Sequence, residues 1–224
     1  MRFAVLDNDL RSESATKPAA PWAGDRHFML IFAAQGIRFL PQCAHTFATF
    51  VRAAGEHALD LDCQTISWLP ADLDIKILRL WPEPGRNFSL DETIAIAQGK
   101  DARLMLWGPY AVEKELYERA TRQVERLRQG QVQYKAIDLG FRPEIATNCF
   151  HAVADIDSDF GMLRTGTAFG ASASAMVAEH LRRWISEPDE IHPWLIDRLG
   201  LDRSTIEIQQ LLPVAGEVLE GVRT

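Results

Sequence analysis

The sequence predicts an α+β fold, an antiparallel β-sheet of about five strands packed against helices. Three observations predict it. Strand-like segments follow one another with short links between residues 27 and 81, the pattern of antiparallel neighbours. A helical repeat spans the residues from Val112 to Gly130. The run Ala146 to Asp155 places a cysteine, Cys149, where a loop enters a helix.

Residues 8 to 26 are rich in Ser, Ala and Pro with little periodicity, so residues 1–26 read as an N-terminal extension. His27 to Ala34 is apolar on both faces and reads as a central strand. Phe47, Thr49 and Val51 alternate against Thr46, Phe50 and Arg52, which predicts a strand beginning at or just before His45. A hairpin connection through Ala53 to His57 leads to the next strand, Gln64 to Leu69. Asp74 to Trp81 also alternates and reads as a further strand closed by Pro82, Pro84 and Gly85.

Ser89 and Glu92 form a capping box ahead of an apolar run, so Leu90 to Gln98 should be a short helix. Lys100 to Trp107 reads as a strand or extended edge that Gly108-Pro109 ends. Leu116, Ala120, Val124 and Leu127 recur at helical spacing, with Glu115/Arg119 and Glu118/Arg122 on other faces, and Gly130 stops that helix. Val132 to Ile137 is strand-like or extended. The small residues from Gly166 to Ala175 run into Met176 to Trp184, a helix whose Ala, Gly and Ser face can approach its neighbour closely. Residues 187–224, with Pro188, Pro193 and Pro213, read as a C-terminal appendage that wraps the domain, covers the pocket or serves an oligomer interface.

With 224 residues and 47% hydrophobic content, the chain suffices for one domain with a proper core. Its net charge of −7 offers no field for phosphate backbones, so nucleic acid is not an expected partner. Three cysteines, an odd number, do not make a disulfide framework. No apolar run is long enough to span a bilayer, and Met1 to Lys17 lacks the apolar core of a signal peptide, so a soluble, cytoplasmic protein is expected. Gly166 to Gly170 lacks the Gly-Lys-Ser/Thr ending of a phosphate loop.

The chemistry points to Cys149. Thr147 or Asn148 can cap the helix that follows, and a helix N-terminus lowers a thiol's pKa and raises its thiolate fraction. The candidate base is His45, since a neutral imidazole can accept a thiol proton and later return it. His151, two residues past the cysteine, would point away on a helix and reads as a supporting residue. Cys43 and Cys63 read as ordinary small hydrophobes.

A strand-borne His45, followed much later by Asn148-Cys149-Phe150-His151, resembles the circularly permuted papain-like cysteine hydrolases. These are permuted relatives of the NlpC-type peptidases and include the lecithin retinol acyltransferase group. The resemblance implies a catalytic domain over residues 27–186 in permuted papain-like order. It implies a thiol hydrolase or acyltransferase acting on an amide, ester or thioester bond, with an acyl-enzyme on Cys149, His45 as base and no metal or organic cofactor. The substrate would be a small-molecule, peptide or lipid acyl compound. A third polar residue orients the base in such sites. The acyltransferase pattern places a His where Ser67 stands, so Ser67, Gln64 and His57 are the candidates here. Tyr134 is the aromatic expected near the thiol, and Asn148 completes the binding candidates. Trp68, Trp81, Trp107 and Tyr110 can line an apolar groove or fill the core.

Two other readings stand beside this one. Cys43, His45, Cys149 and His151 together offer a tetrahedral zinc set. The other is a non-catalytic module of the same fold that binds a small ligand or a protein.

Overall fold

The computed structural model describes residues 24–36, 40, 43–54, 60–160, 163 and 169–211, the side chain of residue 160 excepted. The elements are, in chain order, β1 (Arg26–Gln35), β2 (Ala44–Ala54), β3 (Asp60–Ile66), β4 (Trp68–Pro70), β5 (Gly85–Asn87), α1 (Leu90–Gly99) and β6 (Arg103–Val112). There follow α2 (Lys114–Arg128), β7 (Gln133–Tyr134), β8 (Ala146–Thr147), α3 (Cys149–Ala154), α4 (Gly170–His180), α5 (Trp194–Arg198) and β9 (Ile206–Gln209). The fold is α+β, and five strands form the main sheet in the order β3-β2-β1-β6-β9.

β1 is central, as its unbroken apolar run requires. It pairs antiparallel with β2 from Arg26↔Ala53 to Gln35↔Ala44 and antiparallel with β6 on its other side. Its residues feed both layers of the core. Met29 and Ile31 pack with Phe50, Ile66 and Trp107 beneath α2, α3 and α4. Phe28, Leu30 and Phe32 pack with Phe47, Val51 and Leu106 against α1 and α5. α1 begins at the expected capping box, with Ser89 and Glu92 bonded reciprocally. α2 buries Leu116, Ala120, Val124 and Leu127 as its spacing requires.

The small face of α4 lets it lie close against the sheet. Ser174 Oγ sits 2.8 Å from Thr46 Oγ1 and donates to the Phe32 carbonyl at 3.1 Å.

Several expectations are corrected. The sheet is mixed, not antiparallel, because β9 pairs parallel with β6 from Leu104↔Ile206 to Trp107↔Gln209. The segment after residue 187 therefore builds part of the sheet, and Leu195, Ile196 and Leu201 enter the core. Gly108-Pro109 does not end β6, which runs on to Val112. Pro109 lies beyond the residues paired with β9, and a register shift between Met29 and Ile31 absorbs it on the β1 side. Asp74 to Trp81 is not a strand but a series of turns. There Lys76 is held by Asp72 at 2.6 Å and Glu83 at 3.4 Å, and Leu78, Leu80 and Trp81 are exposed. Of Val132 to Ile137, two residues pair, as β7. Most of the N-terminal extension, His57 and most of the Gly166 to Gly170 stretch lie outside the described residues.

Candidate active site

The site is built where two strands part. β2 and β3 pair from Ala54↔Asp60 to Ala48↔Ile66 and no further. Ser67 breaks the line, and the chain resumes as β4, which pairs with β5 instead. The first residues of β2, His45 among them, border the resulting fork.

Ser67 is held firmly in that break. Its N–H donates to Asn87 Oδ1 at 2.8 Å, its carbonyl accepts from Phe88 N–H at 3.0 Å, and Asn87 Nδ2 donates to the Thr65 carbonyl at 2.7 Å. The fully buried Ser67 hydroxyl lies 2.9 Å from His45 Nε2. His45 also stacks on Phe47, with ring centroids 5.4 Å apart. Its other nitrogen, Nδ1, is buried and has no hydrogen-bond partner among the described residues. Desolvation, with a small contribution from Lys100, pulls the His45 pKa down to about 3, so the imidazole is neutral at rest.

Cys149 enters from the opposite layer. It is the first residue of α3, which is capped by Asn148, whose Oδ1 accepts from His151 N–H at 2.8 Å. Thr147, the other candidate cap, lies in β8. The thiol lies beside the backbone N–H of Thr46, the residue next to His45. Desolvation pushes the thiol's pKa up and outweighs the lowering by the N–H groups of Thr46, Phe150 and Cys149. This corrects the expected thiolate. α3 has only six residues, and burial dominates its weak end field.

A second set of groups fixes the loop before the cysteine. Asp138 accepts from Asn148 N–H and from Asn148 Nδ2, each at 3.1 Å, and its Oδ2 lies 2.6 Å from His151 Nδ1. His151 Nε2 donates to the Leu163 carbonyl at 2.8 Å. Burial lowers the His151 pKa, but the hydrogen bond and charge of Asp138 outweigh it and leave the imidazole above its usual value. Asp138 thus anchors the loop that leads into Cys149, a role with no local sequence signal because the residue sits in irregular backbone 10 positions before Asn148.

The other predicted residues sort clearly. Gln64 is not the orienter. The two-residue period of a strand puts it on the face of Ile66 and Trp68 near α2, where its amide donates to Asp62 at 3.1 Å, whereas Ser67 shares His45's side. Tyr134 is buried beside the thiol, brought there by pairing of Tyr134 with Thr147. Desolvation, then the neighbouring Cys149, Glu83 and Asp138, raise its pKa. Asn148 serves as cap, with its side chain committed within the loop.

Trp68, Trp107 and Tyr110 are core, whereas Trp81 is 74% exposed. The zinc set does not assemble, since Asp138 and the Leu163 carbonyl occupy both nitrogens of His151 and Ser67 occupies His45 Nε2. Among the described residues, the group that brings three ligand atoms together is Glu187, Glu190 and His192. There Arg26 already bonds Glu187 at 2.5 Å. A surface hollow of about 490 Å³, bordered by Arg26, His27 and Lys114, contains neither Cys149 nor His45.

The structure is an α+β protein with a neutral histidine bonded to Ser67 at a fork of its sheet and a partly buried cysteine on the opposite face, against the N–H of Thr46; thiol and imidazole are not in contact. Comparison with known proteins returns no match: no family model, no curated protein and no solved structure is similar to the chain. Among the described residues, no helix is long and apolar enough to cross a membrane.

Proposed function

We propose that the protein is a cysteine-dependent hydrolase or acyltransferase acting on an amide, ester or thioester bond, with its elements in permuted papain-like order. The observation that carries this reading is the orientation of His45. Its Nε2 is bonded to Ser67 and its Nδ1 has no partner among the described residues, while the thiol of Cys149 lies across the strand, against the N–H of Thr46. Nucleophile, base and orienter are the three parts such chemistry needs.

Both groups rest uncharged, so the base acts during attack rather than beforehand. As Cys149 Sγ bonds to the substrate carbonyl carbon, its proton passes to His45, whose imidazole swings from the face of Phe47 round the open fork to reach the thiol. The imidazolium then gives that proton to the leaving amine, alcohol or thiol as the C–N, C–O or C–S bond breaks. Water or another acceptor releases the acyl group from sulfur by the reverse proton route. The N–H of Cys149 faces the oxygen that becomes negative. Two loops flanking Tyr134 expose Leu78, Leu80 and Trp81 on one side and Ile137, Leu139 and Ile145 on the other, which favours a substrate with an apolar part.

The test is acyl transfer from p-nitrophenyl acetate, read as an acetyl group on each cysteine by peptide mass spectrometry. Cys149 is expected to label first, and His45→Ala to slow it by about 10²-fold. Equal labelling of Cys43 and Cys149, or indifference to His45→Ala, would sink the proposal. The rival reading, a binding module of the same fold, is favoured by the desolvation that holds both groups neutral. It predicts an unlabelled Cys149.

A further inference from the structure

We infer that Glu187, Glu190 and His192 form a binding site for one divalent transition-metal ion, zinc by the chemistry of its donors. The site is independent of Cys149 and His45: it lies by Arg26 at the start of β1, whereas His45 pairs with Ala34 near the other end of that strand. The three residues belong to the turn between Ser186, whose N–H donates to the Ala111 carbonyl at 3.0 Å, and α5. Within it, Glu190 N–H donates to the Glu187 carbonyl at 3.3 Å. One ligand atom from each residue lies within 4.8 Å of the other two.

His192 is the fixed member. It is 4% exposed, its N–H donates to the Pro109 carbonyl at 2.9 Å, and its ring meets Phe28 edge-on with centroids 5.1 Å apart. Its Nε2 is buried and makes no hydrogen bond among the described residues. Glu187 Oε2 is only 3.1 Å from that nitrogen but stands off its axis, so the contact is close without being a bond. Two ligands of one ion stand in this way. With metal–ligand distances of about 2.0–2.1 Å and tetrahedral angles, neighbouring donors are about 3.3 Å apart, and the ion, not the oxygen, takes the nitrogen's axis.

Glu190 Oε1 is 3.7 Å from His192 Nδ1, across the ring edge from Nε2, and its side chain, 66% exposed, can turn to bring the third donor from the solvent side. Arg26 donates to Glu187 Oε2 at 2.5 Å. A carboxylate oxygen has more than one lone pair, and a ligating carboxylate is itself hydrogen-bonded from behind, so Arg26 orients Glu187 while its charge tempers the affinity. One imidazole, two carboxylates and a water make a four-coordinate set for zinc, whereas calcium and magnesium call for six or more oxygens. An ion held here fastens the segment that leads to α5 and β9 onto the ends of β1 and β6, which Arg26 and Pro109 already touch.

The experiment titrates Zn²⁺ into the full chain, first stripped of metal, in competition with a chromophoric chelator, and repeats urea unfolding with and without saturating Zn²⁺. One ion per chain is expected, with a raised urea midpoint, since the ion binds the folded form. Glu190→Gln should weaken binding at least about ten-fold and His192→Gln abolish it, each losing the rise in midpoint, while Cys149→Ser binds as the parent does. X-ray absorption at the zinc edge should show nitrogen and oxygen ligands and no sulfur. No binding by the parent, unaltered binding by Glu190→Gln, or a sulfur ligand that disappears in Cys149→Ser overturns the inference. If His192→Gln does not fold, Glu190→Gln, at an exposed position, decides together with the absorption spectrum.

Discussion

Replacing Asp138 by Asn should destabilise the protein more in acid than in base. In the parent, His151 has a folded-state pKa above the 6.5 of an unperturbed imidazole. Such a group contributes stability that is fully present below the unfolded-state pKa and is lost as pH rises through the folded-state value. An Asn at 138 can still accept from Asn148 Nδ2 and, with its amide in place of Oδ2, donate to a neutral His151 Nδ1, while Nε2–H keeps the Leu163 carbonyl; it loses the bond from Asn148 N–H. It cannot face an imidazolium, which would present a second donor.

At pH 8.5 the variant should therefore lose about 1–3 kcal/mol, the cost of leaving the Asn148 N–H without its acceptor. At pH 5.5, holding His151 neutral one pH unit below its unfolded-state pKa costs about 1.4 kcal/mol, and the parent's own gain from the charged pair adds to the gap. Urea unfolding of both proteins at the two pH values measures this. Asp155, pushed up to about 6 chiefly by desolvation, titrates in the same range, so the difference between the proteins is the informative quantity. A difference that stays flat or shrinks on acidification would refute the account of the Asp138–His151 pair.

Ser67→Ala should leave His45 Nε2 without its partner and slow acetylation of Cys149 by about 10-fold or more, with a modest loss of stability in urea. Cys63, whose thiol is pushed up to about 11 by desolvation and by Asp62 and Asp91, should stay unlabelled at pH 7 in every variant. Leu116→Ala, at a fully buried position of α2, should cost about 2–5 kcal/mol by denaturant unfolding without changing the order in which the cysteines label. Gly85→Ala would place a methyl 2.1 Å from the Trp68 ring, so a loss of about 1–3 kcal/mol and a shifted Trp fluorescence are expected.

Where local physics decided an element, the sequence showed it. The capping box of α1, the apolar spacing of α2 and the two-sided apolar run of β1 all carry their own signals. Cys149 at a helix start and His45 at a strand start were legible for the same reason. Alternation alone misled at Asp74 to Trp81, where ion pairs of Lys76 with Asp72 and Glu83 fold the chain into turns. β9 was hidden because it is four residues long, partly exposed, and reaches β6 only after a long excursion. The roles of Asp138 and Asn87 depend on contacts across 10 to 20 positions, which no window of sequence displays. The thiol's pKa followed burial, a property of the packed chain, rather than the helix end visible in the sequence.

The break at Ser67 separates two jobs, pairing a strand and facing the His45 imidazole, that a residue within a ladder performs together. Because the backbone there is tied by Asn87 and Phe88 rather than by a ladder, the side chain at 67 can be exchanged without disturbing strand pairing. Position 67 is therefore a socket of fixed size: a side chain as small as Ala, Cys or Thr changes the partner of the imidazole, whereas a larger one overpacks a fully buried site. Such exchanges alter what His45 Nε2 meets while the backbone ties to Asn87 and Phe88 stay in place.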